Sequence, residues 1–193
     1  MKKIYIHAAF FILFILTYFL VKILSPQERL ITSLVSTFGF ISLILIIIIL
    51  SLPLFVKYKN TSLTRYLLSE RRWIGIYTFI FALIHFSLVF YFFFGLDINK
   101  ILNNKNRLYL SLGGIALLFL FLMTITSNNY AVRKLGKNWK RLHYLIYPAL
   151  VLILIHSFNI GLIYMKNFWL KIIVLIMILI IILLKFYKSK KSK

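Results

Sequence analysis

The sequence predicts an all-α integral membrane protein: a six-transmembrane-helix bundle with both termini cytoplasmic. Three observations carry that reading. Hydrophobic residues make up 62% of the 193, against roughly 45–50% in a soluble domain. They gather into runs of about 20 residues, the length of helix that crosses a hydrocarbon core. The Lys and Arg residues fall between those runs, and they do so asymmetrically.

Taken in order, the expected spans are 4–24, 34–56, 73–94, 108–126, 142–164 and 168–187, each bounded by charged or polar residues. The first opens MKKIYIHAAFF and no small-residue cleavage site follows it, so it is expected to be retained. The third begins behind Arg71 and Arg72 with Trp73 at its boundary, and the fourth is the shortest. The fifth opens within NWKRLHY, with Trp139 just before it and Pro148 inside it; the sixth starts near Trp169 and runs into a basic tail. Tryptophans at span boundaries are the expected interfacial anchors.

Orientation follows from the loops. Seventeen of the 24 Lys and Arg residues lie at the N-terminus, in the second and fourth loops and at the C-terminal end; seven lie on the other side. The positive-inside rule then places both termini in the cytoplasm, in the inner (plasma) membrane. No loop is long enough for a folded domain, so residues 1–193 form one membrane domain.

Composition also excludes. The formal charge of +21 does not indicate nucleic acid, because the cations alternate with membrane-length apolar runs instead of forming one basic face. Cysteine is absent, which removes disulfides, Cys-ligated iron–sulfur clusters and thioether-attached haem. The only carboxylate side chains are Glu28, Glu70 and Asp97, all outside the apolar runs. There is no GxGxxG, Walker A or HExxH motif. Histidine is therefore the one strong metal ligand available.

The histidines are His7, His85, His143 and His156. An ionisable side chain inside a span is a functional hypothesis by default, because burying it without a partner is expensive. His85 lies twelve residues past Trp73, and His156 lies thirteen past His143. At about 1.5 Å per residue both sit roughly 18–20 Å from the cytoplasmic edge, on codirectional helices. Matched depth suits two axial ligands of one b-type haem, a flat apolar ring that needs no Cys. The alternative is that each histidine hydrogen-bonds a neighbouring helix.

His143 lies at the cytoplasmic boundary, where the equivalent place on the third span is Arg72 or Arg71. Arginine does not ligate iron but binds carboxylates and phosphates bidentately. His7 is the one other histidine near that depth and could pair with His143. On an ideal helix thirteen residues put His143 and His156 roughly 140° apart; Pro148 can kink or rephase the span.

The segment RRWIGIYTFIFALIHF (71–86) resembles the third-span signature of ferric-reductase-like transmembrane domains. The stretch NRLYLSLGGIALLFLFLMTITSNNYAVRKLGKNWKRLHYLIYPALVLILIH resembles more closely the haem-binding membrane subunits of the bacterial methionine sulfoxide reductase system, the MsrQ family. The matching elements are Thr126 and Ser127, then RKLGKNWKRLH, then a histidine thirteen residues on; the likeness covers about 65–160. The loop QERLITSLVSTFG before the second span lacks the small, Gly-containing turn of the family.

The resemblance implies electron transfer across the membrane through one or two b-type haems. His85, His143 and His156 are the matching histidines, and a flavin mononucleotide (FMN) is a further expected cofactor. Electrons would come from a cytoplasmic flavin reductase or quinol and pass to an extracytoplasmic molybdopterin-dependent methionine sulfoxide reductase catalytic subunit. His143, Arg71, Arg72, Lys140 and Arg141 are expected to form the cytoplasmic reception site. The competing readings are a haem protein with another acceptor, such as ferric iron, and a non-redox membrane assembly or transport subunit.

Overall fold

The computed structural model describes residues 2–191, with side chains for 4–185. The side chains of Lys2, Lys3 and the tail cations from Lys188 onward, which enter the charge count, lie outside the described residues. Among the described residues ten α-helices form: α1 (Lys2–Leu24), α2 (Leu30–Tyr58), α3 (Ser62–Ser69), α4 (Arg71–Phe92), α5 (Ile98–Leu102), α6 (Arg107–Ile125), α7 (Asn129–Leu135), α8 (Lys137–His143), α9 (Ile146–Ile160) and α10 (Phe168–Lys191). Short 3₁₀ turns occupy Gln27–Arg29 and Tyr164–Lys166. Among the described residues six stretches are long and apolar enough to cross a membrane, so the predicted all-α, six-span membrane fold holds.

Consecutive spans alternate in direction. One face of the bundle therefore carries the start of α1 together with α3, α7 and α8, and is called the terminal face below. The opposite face carries α5 and the two 3₁₀ turns. Large apolar side chains cover most of the outer surface, as lipid contact requires: Phe11, Ile23, Leu118 and Leu179 are all more than half exposed.

The centre of the bundle is α2. Over its most apolar stretch 56% of it is buried, against 11–22% for the other five spans. One cluster packs α1, α2 and α4 through Phe10, Phe38, Leu52 and Phe81. A second packs α2, α6, α9 and α10 through Ile46, Leu120, Leu150 and Val174. Polar side chains fasten the helices at chosen points. Ser42 on α2 donates to the Thr78 carbonyl at 3.1 Å, and Lys171 on α10 donates to the Phe158 carbonyl at 2.8 Å. The second bond satisfies one of the carbonyls that a helix end leaves free.

Most boundaries shift by a few residues from the sequence reading, and two of the differences have a clear physical reason. The second span starts at Leu30 instead of 34, because Pro26 and the turn it opens end the preceding loop early. The fifth span is two helices. The chain breaks at Tyr144–Leu145, so Pro148 sits in the first turn of α9, where a missing N–H matters least. His143 and His156 thus belong to different helices, and the ideal-helix angle between them does not apply. Ahead of α8, Gly136 at φ 51° and ψ −121° takes a conformation open almost only to glycine and separates α7 from α8.

Candidate functional site

His85 on α4 and His156 on α9 meet inside the bundle. Their ring centroids are 6.3 Å apart and their planes stand at 86°. Each ring is tied to a neighbouring helix. His85 Nδ1 lies 2.8 Å from the Val35 carbonyl of α2, and His156 Nδ1 lies 2.8 Å from the Tyr109 carbonyl of α6. A carbonyl only accepts, so Nδ1 carries the proton in both rings and Nε2 keeps its lone pair.

Nδ1 is the ring nitrogen with a protein partner in each case. No buried side-chain nitrogen or oxygen among the described residues is left without one. The two Nε2 atoms therefore border open space. That space is a cavity of about 580 Å³ lined by His85, His156, Phe86, Phe90, Leu117 and Ile153, among others, within the range of about 300–1,000 Å³ usual for cofactor sites. Its lining carries one charged side chain, Lys166, on the opposite face, together with Asn104, Asn106 and Asn159.

The spacing of the rings has a chemical meaning. Two imidazoles bound to one metal ion through nitrogen, at about 2.0–2.1 Å each, place their centroids about 6–6.5 Å apart. The observed 6.3 Å fits that arrangement. Among the described residues no three His, Cys, Asp or Glu side chains come together to hold a metal. Two imidazoles beside a largely apolar slot would suit a metal whose remaining ligands come from a planar organic ring.

Sequence reasoning missed two residues here, Gly39 and Gly113. A Cβ on Gly39 would lie 2.8 Å from His85 Nδ1, and one on Gly113 would lie 2.5 Å from His156 Nδ1. Each glycine stands four residues after the carbonyl that its histidine uses, a spacing that could have drawn attention to both.

A second cavity, of about 490 Å³, opens at the terminal face. His143, Arg71, Arg72 and Lys140 line it together, with Lys185, Trp139 and Tyr147. Its charged side chains are all cationic. The His143 ring stacks on Trp139 at 3.9 Å, and its Nδ1 donates to the Trp139 carbonyl at 3.1 Å. Trp139 in turn donates from Nε1 to the Thr126 carbonyl at 2.9 Å, which fixes α8 across the end of α6. Ser127 Oγ lies 3.4 Å from His143 Nε2, but at 2.7 Å its proton already goes to the Met123 carbonyl. Arg72 donates to Asn129 Oδ1 at 2.7 Å.

Two sequence expectations have a different place. Arg141 is exposed on α8 and does not line the cavity; its neighbour Lys140 does. His7 is not brought to His143. Its Nδ1 lies 2.8 Å from the Tyr77 hydroxyl and its ring packs edge-on against Trp73 at 4.4 Å, which fastens α1 to α4.

Comparison with known proteins agrees with this architecture. The family model described as ferric reductase like transmembrane component matches residues 35–154. The chain is 38% identical over 84 residues to the protein-methionine-sulfoxide reductase heme-binding subunit MsrQ of Brucella anthropi, a stretch covering 43% of this chain and 38% of the relative. The MsrQ subunit of Brucella ovis is 38% identical over 85 residues, covering 44% and 39%. The chain thus spans less than half the length of the curated relatives it matches. No solved structure matches it.

Proposed function

The chain belongs to the ferric-reductase-like transmembrane family, and on that premise we propose that it is a membrane electron conduit whose His85 and His156 hold one b-type haem. The observation that carries the reading is the facing pair of imidazoles, 6.3 Å apart, each with Nδ1 committed to a helix carbonyl. Haem, when bound, supplies a one-electron carrier. The chain's own residues do the rest. The Val35 and Tyr109 carbonyls fix the tautomer and direction of each ring, a role outer hydrogen bonds play at metal sites generally. Phe86, Phe90, Leu117 and Ile153 give the slot apolar walls.

With both termini cytoplasmic, this site lies in the outer half of the bilayer. The terminal-face cavity is then the cytoplasmic reception site. Arg71, Arg72 and Lys140 would hold the anionic part of a donor, such as the phosphate of a flavin mononucleotide, or guide a flavin reductase or quinol to it. His143, stacked on Trp139, stands where it can hydrogen-bond that donor or take up a proton. A second haem there would have His143 as its one protein imidazole, since Arg72 occupies the matching place on α4. On the far side, the acceptor in this reading is the extracytoplasmic catalytic subunit of a methionine sulfoxide reductase; the relatives, named as heme-binding subunits of such a reductase, support it.

Purifying the chain in detergent tests the reading. A haem conduit is red, carries a stoichiometric haem and gives a sharp α-band in reduced-minus-oxidised spectra. A colourless preparation that takes up no added haem would leave the histidines as structural groups. Acceptor assays with methionine sulfoxide reductase subunits and with ferric chelates then separate the two redox readings.

A further inference from the structure

We propose that Gly39 and Gly113 are positioning residues: each forms, with the carbonyl four residues before it, one of two copies of a cradle that sets the plane of an axial imidazole. This rests on the reading of His85 and His156 as ligands of one metal. The two cradles match in detail. His85 Nδ1 is 2.8 Å from the Val35 carbonyl across 50 residues of sequence, and His156 Nδ1 is 2.8 Å from the Tyr109 carbonyl across 47. The first pair joins α2 to α4 and the second joins α6 to α9. In both, the helix that offers the carbonyl starts at the opposite face, and the histidine helix runs back towards it.

The glycines are what the geometry requires. Inside a helix the carbonyl of residue i already accepts the N–H of residue i+4, here that of Gly39 or Gly113. An imidazole reaching the same oxygen from the side must pass through the space that the i+4 side chain would fill. A Cβ on Gly39 would lie 2.8 Å from His85 Nδ1 and 3.0 Å from Cε1; on Gly113, 2.5 Å from His156 Nδ1 and 2.7 Å from Cε1. Helix preference gives no reason for glycine at either place, since alanine is the better helix former. The contrast with Gly114 is direct: a Cβ there meets nothing within 4 Å.

The consequence is electronic. The Nδ1–H bond stops each ring turning about its Cβ–Cγ bond, and the two carbonyls sit on different helices. The planes are thereby held at 86°. Perpendicular imidazoles would donate into different π-type d orbitals of an iron held by both, leaving those orbitals close in energy. In low-spin ferric iron that would raise the largest g value of the electron paramagnetic resonance spectrum, and turning either ring towards the plane of the other would lower it.

The test uses the full chain with its haem. Gly39→Ala and Gly113→Ala should each reduce the haem-to-protein ratio, or lower the largest g value and shift the midpoint potential of whatever haem stays bound. Wild-type haem content with unchanged g value and potential in both variants would overturn the proposal. If a variant fails to accumulate, the His85→Ala/Gly39→Ala pair decides. With the imidazole gone, the added methyl has nothing to strike, so Gly39→Ala should be harmless to yield and thermal stability in that background. Damage of equal size with and without His85 would make Gly39 a packing residue and refute ring positioning. The ligand reading fails separately, if His85→Ala keeps full haem and an unchanged spectrum.

Discussion

The two cavities of this bundle are built from similar helices and are chemically opposite. The inner-bundle cavity presents two imidazoles with centroids 6.3 Å apart, each oriented by another helix, in a lining with a single charged side chain. The terminal-face cavity presents one imidazole, oriented by its own helix, among Arg71, Arg72, Lys140 and Lys185. Thirteen residues before His156 stands His143; thirteen before His85 stands Arg72. One substitution of type at a matched position separates a site suited to a ring-bound metal from one suited to an anion.

The largest expected effect breaks the comparison at its first half. His85→Ala and His156→Ala should each bring haem in the purified chain close to background, measured as the haem-to-protein ratio. His143→Ala should leave most of it in place while slowing reduction by a flavin donor in stopped-flow measurements. If His143→Ala empties the chain as fully as His85→Ala does, the cavities do not differ as argued.

Next in size is the anion site. Arg72→Gln removes a cation from the cavity and the bond to Asn129 that joins α4 to α7. A hydrogen bond to a charged group is worth about 1.5–3 kcal/mol. Donor affinity, read by titrating a flavin mononucleotide against the chain, should fall by about tenfold or more on that basis, with haem content unchanged. Arg141→Gln is the paired control, since Arg141 is exposed and does not line the cavity. Equal losses in the two variants would mean that general surface charge, and not this cavity, receives the donor. Raising ionic strength should slow the encounter with an acidic donor protein through screening over about 8–10 Å.

How much of this could be read from the sequence depends on the kind of fact. Spans and the shared depth of His85 and His156 follow from hydropathy and a fixed rise per residue, both local properties of the chain. Gly39 was not legible. It ends the very loop-and-span segment QERLITSLVSTFG that looked short of a small turn, yet its need arises from an imidazole 46 positions later on another helix. Lys140 and Arg141 are adjacent and alike in sequence; which of them faces the cavity depends on the phase of α8, set by Gly136 and by the break at Tyr144–Leu145. His7 has the right depth for His143 and the wrong side of the bundle, because α1 packs on α2 and α4 through Phe10, and Phe10 stacks on Tyr77 at 4.2 Å.

The smallest effect sharpens the comparison most narrowly. Trp139 serves the terminal-face cavity twice, by stacking on His143 and by donating to the Thr126 carbonyl at the end of α6. Trp139→Phe keeps an aromatic face for the imidazole and deletes the donor. Stability should drop by about 1 kcal/mol, the usual net worth of one neutral hydrogen bond, read as a modest fall in melting temperature. Flavin-driven reduction should slow only slightly, because the ring that His143 rests on survives. The inner-bundle cavity shares no bond with Trp139, so its haem spectrum should not move. A shifted spectrum in Trp139→Phe would mean that the two cavities are mechanically coupled through α8 and α9, and that the break before Pro148 transmits strain instead of isolating one site from the other.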